Sequence, residues 1–202
     1  MRENKKKTIP IFFAVDDGYI PFLAVALQSM TDHASDNNFY LVKVLYTDIS
    51  IENQEKIKKY NKENIDIEFV DLNYYIEKIK DKLYTRDYYS KTTYFRLFIP
   101  DLYPQYDKAL YLDSDITILR DVAELYNINI KDNLLAAAPD DVIQNITVFQ
   151  EYVEKVVGVS DYRHYFNAGI LVMNLDEMRK VHFQDKFMYL LETIKFSVAQ
   201  DQ

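Results

Sequence analysis

Short continuous apolar runs alternate along the chain with segments in which apolar residues recur every three or four positions. Residues 9–15 form a run with the pattern of a buried strand, and from Ile20 the side chains of Ile20, Leu23, Ala24, Leu27 and Met30 follow helical spacing. Residues 39–46 predict a second strand, 51–60 a polar-faced helix behind a Ser50 cap, and 65–70 a third strand. Strand and helix in alternation imply crossover connections and a mainly parallel sheet. Further along, residues 75–83 and 92–99 read as helices, the second ended by Pro100 and Pro104, and the apolar run 109–112 reads as a strand that stops at Asp113. Residues 116–119 and 134–138 are short strand candidates, 142–157 a helix ending at Gly158, 166–174 a strand carrying an internal glycine, and 183–194 a helix. No repeat, low-complexity tract or linker interrupts the pattern. The expectation is a single α/β domain over 1–202, a mainly parallel central sheet flanked by helices.

Composition narrows the partners. With 24 Lys plus Arg against 32 Asp plus Glu, the net charge of -8 would repel a nucleic-acid backbone, so no nucleic-acid partner is expected. Cysteine is absent, which removes disulfides, thiolate metal sites and cysteine nucleophiles and fits a reducing compartment, with the cytoplasm as default. The apolar run 9–15 is too short for a membrane span or a signal-peptide core, so neither is expected. Lys5, Lys6 and Lys7 are a candidate for weak peripheral contact with anionic lipid, although short basic clusters are commonly solvated termini. The 18 tyrosines and 12 phenylalanines suit a core with polar handles as well as a carbohydrate site.

The candidate chemistry sits at Asp113-Ser114-Asp115. This acidic pair follows four apolar residues, at what an open α/β sheet makes the carboxyl end of a buried strand, where ligands bind. In an extended segment, residues two apart project to one side, so both carboxylates can share a cation and leave positions for phosphate oxygens. Hard oxygen ligands suit manganese or magnesium rather than zinc. The bland alternative is a pair of turn aspartates. A sharper rival is a phosphatase of the haloacid-dehalogenase type, in which Asp113 would be the nucleophile and Asp115 the general acid, although that signature follows the first strand of its core domain, whereas three strand candidates precede it here. The spacing also imitates a calcium loop, but Ile118 stands where glycine is needed.

Gly18, Gly158 and Gly169 are the only glycines, so neither a P-loop nor a dinucleotide-binding fingerprint can be written. The histidines His33, His164 and His182 are too scattered to suggest a metal cluster, and no nucleophile elbow exists.

Four blocks and the terminal Gln200-Asp201-Gln202 occur in one order: Phe13-Ala14-Val15-Asp16-Asp17-Gly18-Tyr19, Thr92-Thr93-Tyr94-Phe95-Arg96-Leu97, Tyr111-Leu112-Asp113-Ser114-Asp115, and Tyr165-Phe166-Asn167-Ala168-Gly169. From about Ile9 to the last residue the chain resembles glycosyltransferase family 8, the group of bacterial lipopolysaccharide galactosyl- and glucosyltransferases and glycogenin. The resemblance implies a Rossmann-like nucleotide-diphospho-sugar transferase fold of the GT-A type. It also implies a UDP-sugar donor, a saccharide acceptor, Mn2+ or Mg2+ as cofactor, and retention of anomeric configuration, in lipopolysaccharide or cell-surface glycan synthesis. On this resemblance the backbone of Ala14 and Val15 would meet uracil or ribose, Asp16 would accept from the uracil, and Asp113 and Asp115 would hold the metal, with Ser114 also at the UDP-sugar. Arg96 and Asn167 would lie near the diphosphate and sugar, Asp201 would bond sugar hydroxyls, and Gln202 would sit beneath the anomeric carbon. Asp140, after the strand 134–138, is the candidate for reaching the acceptor. Taken outside the motif order, Asp16 reads as a helix cap, Arg96 as an ion-pair partner and Asn167 as a turn residue.

The pattern departs from the family twice. Gly18 replaces an asparagine that contacts the nucleotide in the galactosyltransferases. The family pattern also continues beyond Gln202 with an aspartate, a metal-ligating histidine and a lysine, so the domain is expected to be C-terminally incomplete, and a non-catalytic nucleotide-sugar-binding fragment stands as the alternative. An amide such as Gln202 is a poor nucleophile, which favours same-face attack assisted by the leaving phosphate over a covalent glycosyl-enzyme.

Overall fold

The computed structural model describes residues 6–79 and 91–193. The sheet contains β1 (Lys7–Ala14), β2 (Asn38–Tyr46), β3 (Ile65–Asp71), β4 (Lys108–Leu112), β5 (Leu135–Pro139) and β6 (Phe166–Asn174), in the order β3-β2-β1-β4-β6-β5. The β1–β2, β2–β3 and β1–β4 pairs are parallel, whereas β6 runs antiparallel to both β4 and β5. Only β6 is therefore reversed. The helices are α1 (Ile20–His33), α2 (Ile51–Lys58), α3 (Asn73–Ile79), α4 (Ile99–Leu102), α5 (Val122–Tyr126), α6 (Asp141–Asn145), α7 (Thr147–Tyr152), α8 (Leu175–Lys180) and α9 (Phe183–Thr193).

The sheet is covered on both faces, which is why β1 reads as unbroken apolar sequence. Ile9, Ile11 and Phe13 meet Leu23, Ala26, Leu27 and Met30 of α1 on one face. On the other, Phe12 meets Tyr94, Phe95, Phe98 and Tyr103. The second layer is fastened by Arg179 of α8, whose guanidinium donates to the carbonyls of Pro100 at 3.0 Å and Tyr106 at 3.1 Å. Among the described residues no helix is long and apolar enough to cross a membrane.

Most predicted elements are present with small shifts at their ends. Ser50 caps α2 as expected, its hydroxyl accepting from the Asn53 N–H at 3.3 Å. The helix predicted over 92–99 is a 3-10 turn, Lys91–Phe98, running into α4. The ends of the helices predicted over 75–83 and 183–194 lie outside the described residues.

Two expectations fail. Residues 116–119 form no strand, and β4, which they follow, already has β1 on one side and β6 on the other, so beside β4 no edge is left to pair. The segment instead crosses α1, where the Ile118 N–H donates to Ser29 Oγ at 3.0 Å and the Ile118 side chain is buried. The single helix expected over 142–157 is broken at Ile146, which is extended at φ -123 and ψ 107. Val142, Ile143, Ile146, Thr147 and Val148 are β-branched and hold a helix weakly. The break lets Ile143, Val153 and Tyr165 close a small cluster of their own, and a wide turn over Val153–Val157 ends at Gly158 with φ +89, a left-handed conformation that glycine adopts without strain.

Candidate functional site

From β1 the chain proceeds to β2 on one side, while β4 lies on the other, so the carboxyl ends of β1 and β4 flank a topological switch point. A cleft of about 260 Å³ opens there. The end of β1 contributes Ala14, Val15, Asp16 and Tyr19, the 3-10 turn contributes Thr92, Thr93 and Arg96, and the end of β4 contributes Tyr111, Asp113, Ser114 and Asp115. Three of the sequence blocks thus converge on one concavity.

Asp16 caps the turn after β1, its Oδ1 accepting from the N–H groups of Gly18 at 3.0 Å and Tyr19 at 3.2 Å. The cap reading holds for it, and the same bonds fix the carboxylate at the cleft. Its neighbour Asp17 does something else. Asp17 Oδ1 accepts from the Ser50 N–H and from Asn53 Nδ2, both at 2.9 Å, which holds its carboxyl below the usual range and ties the loop to α2.

Arg96 is 6% exposed. It donates through Nε to the Thr93 carbonyl at 3.2 Å, through Nη1 to the Ala168 carbonyl, and through Nη2 to Asp113 Oδ1 at 3.2 Å. Its guanidinium carbon lies 4.2 Å from the centre of the Tyr111 ring, and the Tyr111 hydroxyl donates to the same Asp113 oxygen at 3.0 Å. Burial nevertheless pushes the Asp113 carboxyl up from its ordinary range, opposed by Arg96 and Tyr111 and reinforced by the nearby charge of Asp115. A part-buried carboxylate that feels a second carboxylate favours either a proton or a cation.

The expectation of a continuing extended segment at the acidic pair is corrected. The backbone bends at Ser114 and Asp115, Ser114 is buried, and Asp115 is exposed. The simple alternation argument therefore does not apply, yet both carboxylates line the cleft. Among the described residues no group of three or more His, Asp or Glu side chains could hold a metal, and Asp113 and Asp115 are the carboxylates the cleft offers to a cation.

Gly169 closes one side. Its carbonyl accepts from the Asp113 N–H at 2.7 Å, and its N–H donates to Asn167 Oδ1 at 2.8 Å. A Cβ on residue 169 would lie 2.7 Å from Asp113 Oδ2 and 2.9 Å from Asn167 Oδ1, so both oxygens crowd a space that only glycine leaves open. Asn167 therefore stands beside Asp113, outside the cleft lining itself. Asp140 also lies outside that lining. It is buried at the end of β5, and its Oδ1 caps α6 by accepting from Val142 N at 2.9 Å and Ile143 N at 3.1 Å. Gln200, Asp201 and Gln202 lie outside the described residues.

The sequence reading gave Tyr19, Thr92, Thr93 and Tyr111 no role, although each belongs to a block it singled out. Their signal was membership of the same blocks as Asp16, Arg96 and Asp113. Tyr19 is half-exposed at the cleft, its ring 5.3 Å from that of Phe22.

Comparison with known proteins agrees with this architecture. The family model described as Glycosyl transferase family 8 matches residues 10–200. A Haemophilus influenzae protein named as a glycosyltransferase is 31% identical over 202 residues, 97% of this chain and 58% of its own length. General stress protein A of Bacillus subtilis is 26% identical over 188 residues, 91% of this chain and 62% of its own length. The chain thus spans about 58–62% of these two relatives. The apo structure of the bifunctional glycosyltransferase WbbM superimposes with a TM-score of 0.85 at 27% identity, over 100% of this chain and 37% of that one. The galactosyltransferase LgtC, crystallised with donor and acceptor sugar analogues, gives a TM-score of 0.76 at 27% identity, over 96% of this chain and 68% of that one. The fold is the Rossmann-like GT-A type.

Proposed function

This chain belongs to glycosyltransferase family 8, and on that premise we propose that it transfers glucose or galactose from a UDP-sugar to a saccharide hydroxyl, with retention and with Mn2+ or Mg2+, in lipopolysaccharide or cell-surface glycan synthesis. The observation that carries the proposal is the meeting of Ala14, Val15 and Asp16 with Arg96, Asp113 and Asp115 in one cleft at the switch point. Family membership leaves the phosphatase reading of Asp113 without support.

The residues fit a hard divalent cation. Two carboxylates act on each other at the cleft, and Asp113 Oδ2 lies in space kept clear by Gly169. Asp113 and Asp115 would hold the ion, which when bound would offset the charge of the diphosphate. Arg96 is held by two carbonyls, a ring and a carboxylate before any ligand arrives, so its positive charge needs no reorganisation to stabilise a departing diphosphate. Asp16, fixed by its capping bonds, suits an acceptor for a base N–H, and the half-exposed Tyr19 ring offers the base an apolar face. Ser114, buried between the aspartates, and Asn167, beside Asp113, complete the proposed donor contacts. Asp201 and Gln202 belong to the sugar end of the site on the resemblance alone, and Asp140 to the acceptor end.

The deciding experiment is calorimetric titration of UDP with Mn2+ and with chelator, repeated on Asp113→Asn. Metal-dependent binding that disappears in the variant supports the donor site, and UDP release from UDP-glucose or UDP-galactose then tests transfer. Binding without release under any acceptor would return the protein to a non-catalytic role. Absence of metal-dependent binding in the wild type would sink the proposal.

A further inference from the structure

The carboxylate of Asp113 can present either oxygen to a cation, and what the other oxygen bonds decides which. Among the described residues both side-chain donors fall on Oδ1, Tyr111 Oη at 3.0 Å and Arg96 Nη2 at 3.2 Å. Tyr111 reaches it because residues two apart share a strand face, and it has little freedom to move. The residue is 1% exposed and registered in β4 opposite Phe12 of β1 and Leu171 of β6, with the guanidinium stacked on its ring. On the opposite side Oδ2 occupies the space above Gly169, where any Cβ would come within 2.7 Å. We infer that Tyr111 is a positioning residue which turns Oδ1 of Asp113 inward, while Gly169, by lacking a Cβ, leaves room for Oδ2, the oxygen that ligates the divalent cation.

This inference rests on the donor-site reading above. Phenylalanine at 111 keeps the ring beneath Arg96 and removes the hydroxyl that donates to Asp113. Mn2+ is titrated in saturating UDP, with free Mn2+ read by electron paramagnetic resonance. Outer-shell partners of metal ligands are worth about 10–100-fold in metal affinity, and a loss of at least about tenfold is expected. The unfolding midpoint is read alongside, because a merely structural role would lower it and leave Mn2+ affinity alone. Gly169→Ala tests the other side with the hydroxyl intact, should give a comparable loss by displacing Oδ2, and decides the matter if Tyr111→Phe does not fold. Mn2+ affinity within twofold of wild type in either folded variant overturns the inference and leaves the donor reading standing. A wild type that binds no Mn2+ with UDP overturns both.

Discussion

Arg96 and Asp113 form an ion pair at the floor of the cleft, 3.2 Å from Nη2 to Oδ1, in which the arginine is 8% exposed by side chain and the aspartate 37%. The guanidinium also satisfies the carbonyls of Thr93 and Ala168, so it joins the 3-10 turn, β4 and β6. Breaking a fully buried pair costs about 3–5 kcal/mol, and partial exposure of Asp113 brings Arg96→Ala to roughly 2–3 kcal/mol. Arg96→Lys should recover little of that, since an ammonium cannot reproduce the planar fork. Urea denaturation measures the stability. Donor turnover should fall about 100-fold or more, as for loss of a preorganised charge donor.

The Asp113 carboxyl titrates above its ordinary 3.8 because of burial, with Asp115 adding to the shift. A raised acid pKa means that the folded protein holds this proton more tightly than the unfolded chain. Without metal, the site therefore gains stability as pH falls through the folded pKa, and it carries its full electrostatic cost above that pKa. Metal competes with the same proton. Metal-dependent UDP affinity should fall on acidification at a pH above 3.8, and a calorimetric series that holds its affinity down to that value would contradict this.

Tyr40 is fully buried, donates to Asp121 Oδ1 at 2.7 Å and accepts from the Ser35 N–H at 2.9 Å. Its hydroxyl is pushed up to about 12, by burial first and Asp121 second. Tyr40→Phe should cost about 1.5–3 kcal/mol, the range for a hydrogen bond to a charged group, without altering metal-dependent UDP binding. Because the folded pKa is raised, the hydroxyl's contribution is complete below 10 and lost as pH climbs to about 12. Denaturation across that window should show a steeper fall for wild type than for the variant.

Asp140 separates a structural from a catalytic role. Asparagine caps helices about as well as aspartate, so Asp140→Asn should keep stability, whereas Asp140→Ala should lose about 1 kcal/mol. If the side chain also meets the acceptor, both variants raise the KM for acceptor. An unchanged KM in both would confine Asp140 to capping.

The strands were legible because a buried strand needs apolar residues locally, and the cap at Ser50 because its partner is three residues away. The acidic pair was legible for the same reason, as an interruption of an apolar run. Reading 116–119 as a strand failed because pairing is decided by the whole sheet, in which β1 and β6 already occupy both sides of β4. Reading 142–157 as one helix failed because the break at Ile146 is compensated by a cluster that includes Tyr165, beyond the predicted helix.

By itself the sequence determined the family, most of the order of strands and helices, and the three motif blocks that meet at the cleft, since local composition and motif order encode these. Only the tertiary structure decided that β6 runs backwards, that Asp16 lines the cleft while Asp17 turns to α2, and that Asp113 gives Oδ1 to Tyr111 and Arg96. Each of these involves a bond between parts of the chain that the fold alone brings together, β6 to β4, Asp17 to Ser50 and Arg96 to Asp113. The Arg96 bond to the Ala168 carbonyl crosses 72 positions of sequence, a distance over which no local pattern carries information.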